Sequence, residues 1–298
     1  MFQPRMLTAA LCGLFFTLSA QAGKLAIVID DFGYRPVEES KVLQMPAAIS
    51  VAVLPNAPHA RDMATRAHQA GHEVLIHLPM APLSKQPLEK DTLTPEMSSE
   101  EIARIVREAS GKVPYAVGLN NHMGSKMTSS LPGMQKVMQV LNHYNYYFLD
   151  SMTIGNSQSV PAAQGTQVKV IKRRVFLDDS QNEAAIRQQF SRAVKLAQRD
   201  GYAIAIGHPH PTTVRVLQQM LPSLPADITL VRPSQLLNEP LRHGSAPLPA
   251  KPQKPAFRAP GECKVNKPLP PVPQERVLNV IGESIADSPL VKQLQQLF

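Results

Sequence analysis

Six apolar runs in this chain each end in residues that can bind a metal ion or move a proton. Residues 25–29 lead into Asp30-Asp31, residues 73–76 into His77, and residues 115–119 into Asn120-Asn121-His122. Residues 146–149 lead into Asp150, and residues 202–206 into Gly207-His208-Pro209-His210. Residues 170–177, interrupted by Lys172-Arg173-Arg174, lead into Asp178-Asp179. Adjacent carboxylates where a strand breaks into a loop can divide labour, one holding a cation and the other taking a proton. Imidazoles nearby serve as ligands or as acids. Carried to one rim, this set would suit metal-assisted hydrolysis.

The elements between these runs favour such a rim. Short β-type runs separated by helix-length stretches indicate a parallel α/β sheet or barrel, whose sites lie at the carboxyl ends of the strands. Strands are expected over residues 24–29, 49–54, 73–76, 116–119, 146–149, 175–177, 203–206 and 228–231. Pro79 is expected to force the chain out of the third of these. Helices are expected over 38–43, 60–70, 131–141, 182–199 and 214–220, and another after Ser98, whose acidic followers Glu100 and Glu101 suit a first turn. Ile102, Ile105, Val106 and Ala109 recur there at helical spacing, as do Met134, Val137, Met138 and Leu141 further on. Such Met-containing stripes read as core. Seven or eight β/α units predict a (β/α) barrel, seven-stranded or distorted, with an open doubly wound sheet as the fallback. The Gly-rich loop of nucleotide-binding folds is absent after the first strand, where Asp30-Asp31-Phe32-Gly33 stands.

The chain ends read differently. Arg5, the apolar residues 7–20 and Ala20-Gln21-Ala22 have the form of a signal peptide over residues 1–22. Cleavage after Ala22, rather than a retained anchor, would place the mature chain in the periplasm with no membrane span. Leu11 before Cys12 is too bulky for a lipoprotein site, and Cys263 would then be the one mature cysteine. That excludes an internal disulfide and a Cys-rich zinc site, so any metal must rest on His and carboxylate. Residues 23–239 form one domain by length. Residues 240–298, rich in proline and basic residues, read as a largely disordered tail that tethers, binds a protein partner or is dispensable. A net charge of +8 without Trp or aromatic–basic interleaving points to anionic envelope glycans or lipids rather than nucleic acid.

Each candidate residue has a structural reading beside the chemical one. His77, at the end of a buried strand, suits a hydrogen-bonded structural role as well as a ligand. Asn120 and Asn121 can orient an imidazole or bind sugar hydroxyls. Gly124 and Ser125 can present backbone N–H groups to an oxyanion. The proline of His208-Pro209-His210 stiffens the loop and fixes the two histidines' relative direction, so that either can be ligand or acid. Asp150, Asp178 and Asp179 can orient a histidine. Arg173-Arg174 can pair with those carboxylates or neutralise an anionic substrate. His59, His68, His72 and His143 read as surface residues. Ser151 lacks the glycines of a nucleophile elbow.

The segments KLAIVIDDFG, GHEVLIHLPM, GLNNHMGSKMT, FLDS, VFLDD and AIAIGHPH, in this order over residues 24–237, resemble the divergent polysaccharide deacetylase family, a remote branch of the carbohydrate esterases. The resemblance implies a (β/α) barrel and a divalent metal, with zinc expected, that hydrolyses N- or O-acetyl groups of sugars. By resemblance, Asp30 would be the base, Asp31 and His77 metal ligands, and His208 or His210 the acid. The main family carries a second metal-binding His four residues after the first, where this chain has Ala81. The third ligand is therefore expected at His122, with His210 or His208 next. The function expected is deacetylation of an envelope glycan such as peptidoglycan. The competing reading is a catalytically silent glycan- or protein-binding module. A different hydrolase on the same rim, an amidase or phosphoesterase, is a third.

Overall fold

The computed structural model describes residues 22–241. The expected signal peptide, except for its last residue, and almost all of the tail, with Cys263, lie outside the described residues. The elements run β1 (Gly23–Phe32), α1 (Pro36–Val42), β2 (Ser50–Val53), α2 (Ala60–Gln69), β3 (Val74–Met80), α3 (Ser99–Lys112) and β4 (Ala116–Met123). They continue with α4 (Ser125–Thr128), α5 (Leu131–Leu141), β5 (Tyr147–Asp150), α6 (Ser159–Ala162), β6 (Val170–Lys172) and β7 (Val175–Phe176). The last are α7 (Glu183–Asp200), β8 (Tyr202–Gly207), α8 (Pro211–Met220) and β9 (Ile228–Leu230).

The strands form one parallel sheet in the order β6-β5-β4-β3-β2-β1-β8-β7, with β9 beside the start of β1. The sheet curls into a half-barrel, the distorted form of the barrel that the sequence predicts. β6 and β7 stand at its two ends, and the chain crosses between them through Arg173-Arg174. Arg173 N donates to Asp150 O on one side, and Arg174 N to Ile204 O on the other.

Side-chain parity sorts the interior. Residues at i and i+2 of a strand share a face. Leu25, Ile27 and Ile29 of β1 join the layer packed against the helices, whereas Ala26 and Val28 join Leu75, Leu149, Ile204 and Ile206 inside the curl. Ile102, Ile105, Val106 and Ala109 of α3 and the Met134–Val137–Met138–Leu141 stripe of α5 are buried in the helix-facing layer. Ser98 caps α3 by accepting from Glu101 N, and Asn182 caps α7 by accepting from Ala184 N and Ala185 N.

Three local expectations are corrected. β3 runs through Pro79 to Met80 rather than stopping before the proline. The N and C=O of one strand residue point to the same side, and on that side β2 has already ended its pairing at Ile76. The missing N–H of Pro79 therefore forfeits no ladder bond, and its carbonyl accepts from Leu93 N. β4 likewise continues past Leu119 to Met123, paired with β3 throughout the extension. His72 is buried, unlike the exposed His59, His68 and His143. Its Nδ1 lies 2.8 Å from Ile49 O and its Nε2 3.2 Å from Leu43 O, so it ties two loops together.

Candidate active site

Parity and the extended strands decide which polar side chains reach the rim. Asp30 continues the inward face of Ala26 and Val28, and it is buried. Asp31 would point outward, but it sits at φ 59°, in an irregularity of the β1–β2 ladder between Ile29 and Phe32. That left-handed turn brings its carboxylate back to the same rim. Glu39 of α1 pins the turn from behind, its Oε1 accepting from the backbone N–H of Gly33, Tyr34 and Arg35 at 2.9, 3.0 and 2.6 Å. On β3 and β4, His77 is paired with Asn120, and Pro79 with His122. His77, Asn120 and His122 thus face inward together, two residues apart along their strands.

Asp31, His77 and His122 converge. Asp31 Oδ1 lies 3.3 Å from His77 Nε2 and 3.1 Å from His122 Nδ1, and those two nitrogens are 3.1 Å apart. One ligand atom from each residue falls within 4.8 Å of the others. Asp31 Oδ1 is buried yet accepts no well-aligned hydrogen bond. The Asn120 amide settles the proton on His77. Asn120 Nδ2 donates to Asp30 Oδ1 at 2.9 Å, so its Oδ1 faces His77 Nδ1 at 2.8 Å and must accept from it. In the neutral ring the lone pair of Nε2 then points at Asp31 and His122. Burial opposes charge on His77, but Asp30 and Asp31 outweigh it and push its pKa up. Burial likewise opposes charge on Asp31, and the imidazoles of His122 and His77 close beside it hold that carboxyl well below the usual range. The pocket thus favours positive charge at its centre. An orphaned carboxylate oxygen facing two imidazole nitrogens fits a divalent cation.

Asp178 and His208 stand across from this triad. Asp178 accepts from His208 N at 2.7 Å, His208 Nδ1 at 3.0 Å and Thr213 Oγ1 at 2.7 Å. His208 Nε2 therefore points at the rim, 3.8 Å from Asp31 Oδ2. Burial would lower the His208 pKa, but Asp178, with Asp30 and Asp31, pushes it up to about 9. Burial raises Asp30 above the usual carboxylate range despite His77 and His208. The site thus pairs a basic carboxylate with a charged imidazole.

The other candidates are placed elsewhere. His210 Nδ1 lies 2.8 Å from Arg35 Nη1, and burial lowers the pKa of this ring. His210 also forms a second close group with Asp178 and His208. Asn121 braces the β4–β5 edge, its Oδ1 accepting from Ser151 N and its Nδ2 donating to Met123 O. Asp150 orients no histidine, because it accepts from Met152 N, Ser157 Oγ and Ser159 Oγ and so folds the following loop. Asp179 is exposed on the cleft wall. Ser125 Oγ accepts from Leu83 N, anchoring the loop after β3. Gly124 has φ 98°, and a Cβ there would stand 2.9 Å from the Met80 Cβ. Glu39, Arg35 and Thr213 were not singled out from the sequence. Arg35 and Thr213 meet partners from distant segments, so no local spacing marks them, whereas Glu39 reaches back only four to six residues.

A parallel half-barrel with an Asp–His–His cluster and an Asp–His pair on its carboxyl rim is the arrangement that metal-assisted hydrolases use. Residues 27–237 match the profile of the divergent polysaccharide deacetylases, and the chain belongs to this family. It is 68% identical over 278 residues to the uncharacterized protein YibQ of Escherichia coli (strain K12), covering 92% of this chain and 87% of that protein. It is 43% identical over 218 residues to an uncharacterized protein of Haemophilus influenzae, covering 73% of this chain and 78% of the relative. Among solved structures it resembles an uncharacterized protein of Agrobacterium tumefaciens C58, with TM-score 0.68 and 20% identity over 73% of this chain and 90% of the other. That likeness is one of fold.

Proposed function

We propose that the protein is a periplasmic, divalent-metal-dependent hydrolase that removes acetyl groups from an envelope polysaccharide such as peptidoglycan. The observation that carries this reading is the convergence of Asp30, the Asp31–His77–His122 triad and the Asp178–His208 pair on one rim. The triad would hold the metal, and two imidazoles with one carboxylate suit zinc. Bound there, the metal supplies Lewis acidity, polarising the acetyl carbonyl and acidifying water. Asp30, made basic by burial, takes a proton from the attacking water. Asn120 holds Asp30 and His77 in register through one amide. His208, charged at neutral pH and aimed by Asp178, gives a proton to the departing amine or alcohol. The products are acetate and the free sugar amine or hydroxyl.

The signal-like residues 1–22 and the basic composition support a periplasmic location. Among the described residues no helix is long and apolar enough to cross a membrane. The silent-module reading rests on Ala81 and the basic Pro-rich tail; the placement of His122 on the neighbouring strand, beside Asp31 and His77, supports the enzyme reading instead. Metal content and acetate release, measured on the wild type, His77→Ala, His122→Ala and Asp30→Asn, test the proposal. Near-stoichiometric zinc in the wild type and Asp30→Asn, its loss in both His variants, and acetate release by the wild type alone are expected. A wild type that takes up no metal after zinc reconstitution, or an Asp30→Asn enzyme of full activity, would refute it.

A further inference from the structure

The cleft that opens at the triad does not stop there. Its volume is about 660 Å³, and it extends over the seam where the half-barrel fails to close. The seam-side wall differs in charge from the opposite one. On the β4–β5 side the cleft is lined by Met123, Met152 and Thr153, which carry no charge. On the seam side stand Arg173, Arg174, Phe176, Asp179, Gln189 and Arg192.

These arginines are not equivalent. Arg174 is spent on Asp200, donating to its Oδ2 at 2.7 Å. Arg173 donates from Nε to Ser151 O at 2.5 Å and from Nη2 to Met152 O at 2.7 Å, and its Cζ lies 5.0 Å from the centre of the Phe176 ring. Two carbonyls and an aromatic face therefore fix this guanidinium without neutralising it. Arg192 reaches the cleft from α7, where its one side-chain partner is Gln189 Oε1 at 3.4 Å. Among the described residues, neither Arg173 nor Arg192 has a carboxylate within 4.0 Å. Asp179 is the wall's one remaining acid, and it is exposed. Two guanidinium groups without an ion-pair partner, Arg173 rigid and partly buried and Arg192 exposed, stand on this wall with Asp179, while Asp150 and Asp30 act on Arg173 from beyond ion-pairing distance. With Nε and one Nη2 proton held by carbonyls, Arg173 keeps its Nη1 side for an oxyanion, and a guanidinium held in place donates to a planar or a tetrahedral oxyanion alike.

We propose that the seam wall is an anion subsite, and that the natural substrate carries a carboxylate or phosphate on the sugar next to the one that is deacetylated. The position of the scissile bond rests on the deacetylase reading above. The charge on the neighbouring sugar does not. Removal of an N-acetyl group would add a positive amine beside this anion and so lower the product's net negative charge. Product would then leave the subsite more readily than substrate.

The test uses the full-length, zinc-loaded protein and three tetrasaccharides. One is N-acetylated chitotetraose, one alternates N-acetylglucosamine with glucuronate, and one is chitotetraose phosphorylated at the 6-position. Dissociation constants come from calorimetry and acetate release from the same samples, for the wild type, Arg192→Ala and Arg192→Glu. Arg173 is left intact because its donors hold two backbone carbonyls. The wild type should bind at least one charged sugar roughly tenfold more tightly than the neutral one, a preference that shrinks as salt rises. Arg192→Ala should cut that ratio several-fold, and Arg192→Glu should invert it. The charged sugar that is preferred tells carboxylate from phosphate. Equal binding of all three sugars by the wild type, or a ratio unchanged in both variants, would overturn the subsite. A charge preference without acetate from any sugar would sink the deacetylase reading and leave the subsite standing. Equal acetate release and equal binding would do the reverse.

Discussion

Asn120 occupies a place that neither aspartate nor an apolar residue can fill, and its replacement gives the sharpest test of the site. It is completely buried. Its carbonyl accepts from His77 Nδ1 at 2.8 Å, and its amide donates to Asp30 Oδ1 at 2.9 Å and reaches Ser151 Oγ at 3.3 Å. Asn120→Leu keeps the branching at Cγ, with a somewhat larger side chain, and removes both functions. His77 Nδ1–H and one Asp30 oxygen would then be buried without a partner, at ~1–3 kcal/mol apiece. The apo protein should therefore lose about 2–6 kcal/mol of stability. Metal affinity should fall by roughly 10- to 100-fold, the usual effect of removing the group that orients a ligating imidazole. Asn120→Asp separates the two ends of the amide. It keeps an acceptor for His77, but it sets a second carboxylate oxygen against Asp30 where a donor stood. Metal affinity should be largely retained in Asn120→Asp while acetate release collapses, because the two carboxylates would share a proton and leave Asp30 no free carboxylate to act as base. Chelator competition gives the affinity, denaturant unfolding of the apo protein the stability, and a coupled assay the acetate. Wild-type zinc affinity in Asn120→Leu, or equal activity in Asn120→Asp and the wild type, would refute the assigned relay.

Two further outcomes follow from the same geometry. Asp178→Asn should leave zinc stoichiometry unchanged and lower kcat by at least about 100-fold, since the anchor that turns His208 Nε2 to the rim is lost. Equal loss of metal and activity would show instead that Asp178 supports the fold of the triad. Ala81→His placed in a His122→Ala background should not recover metal. Ala81 is buried, its N donates to Leu93 O, and its carbonyl accepts from Lys126 N and Met127 N, so a larger side chain has no room to turn inward. Recovery of zinc by the double variant, read by elemental analysis, would refute that account.

Much of the fold was legible because a buried parallel strand announces itself as a short apolar run. Each of the six runs in fact ends near the rim. The boundaries were less legible, and there the chemistry hides. Ending β4 at Leu119 leaves Asn120, Asn121 and His122 as equivalent loop residues. Extending it to Met123 makes parity apply, so that Asn120 and His122 face the site while Asn121 braces an edge. The extension depends on pairing with β3 beyond Pro79, a long-range fact that no local signal at Leu119 carries. Asp150 shows the converse. Its context matched that of the other strand-end acids, yet its partners Ser157 and Ser159 lie in the loop it folds. His72 was misplaced for a similar reason, because its two carbonyl partners come from distant turns.

On the proposed reading, alanine at 81 in place of a second histidine changes the provenance of a ligand rather than the donor set. In this chain the three candidate donors come from β1, β3 and β4, and each is tied to its own strand's register. Asp31 depends on the left-handed turn that Glu39 pins, His77 on Asn120, and His122 on the β3–β4 ladder. A donor carried by a paired strand loses little conformational entropy on binding a cation, because folding has already restricted it. The backbone carbonyl of residue 81 accepts from Lys126 N and Met127 N of α4, a contact any residue there would make. Ala81 itself is buried, so an imidazole at that position would have to displace the side chains packed around it.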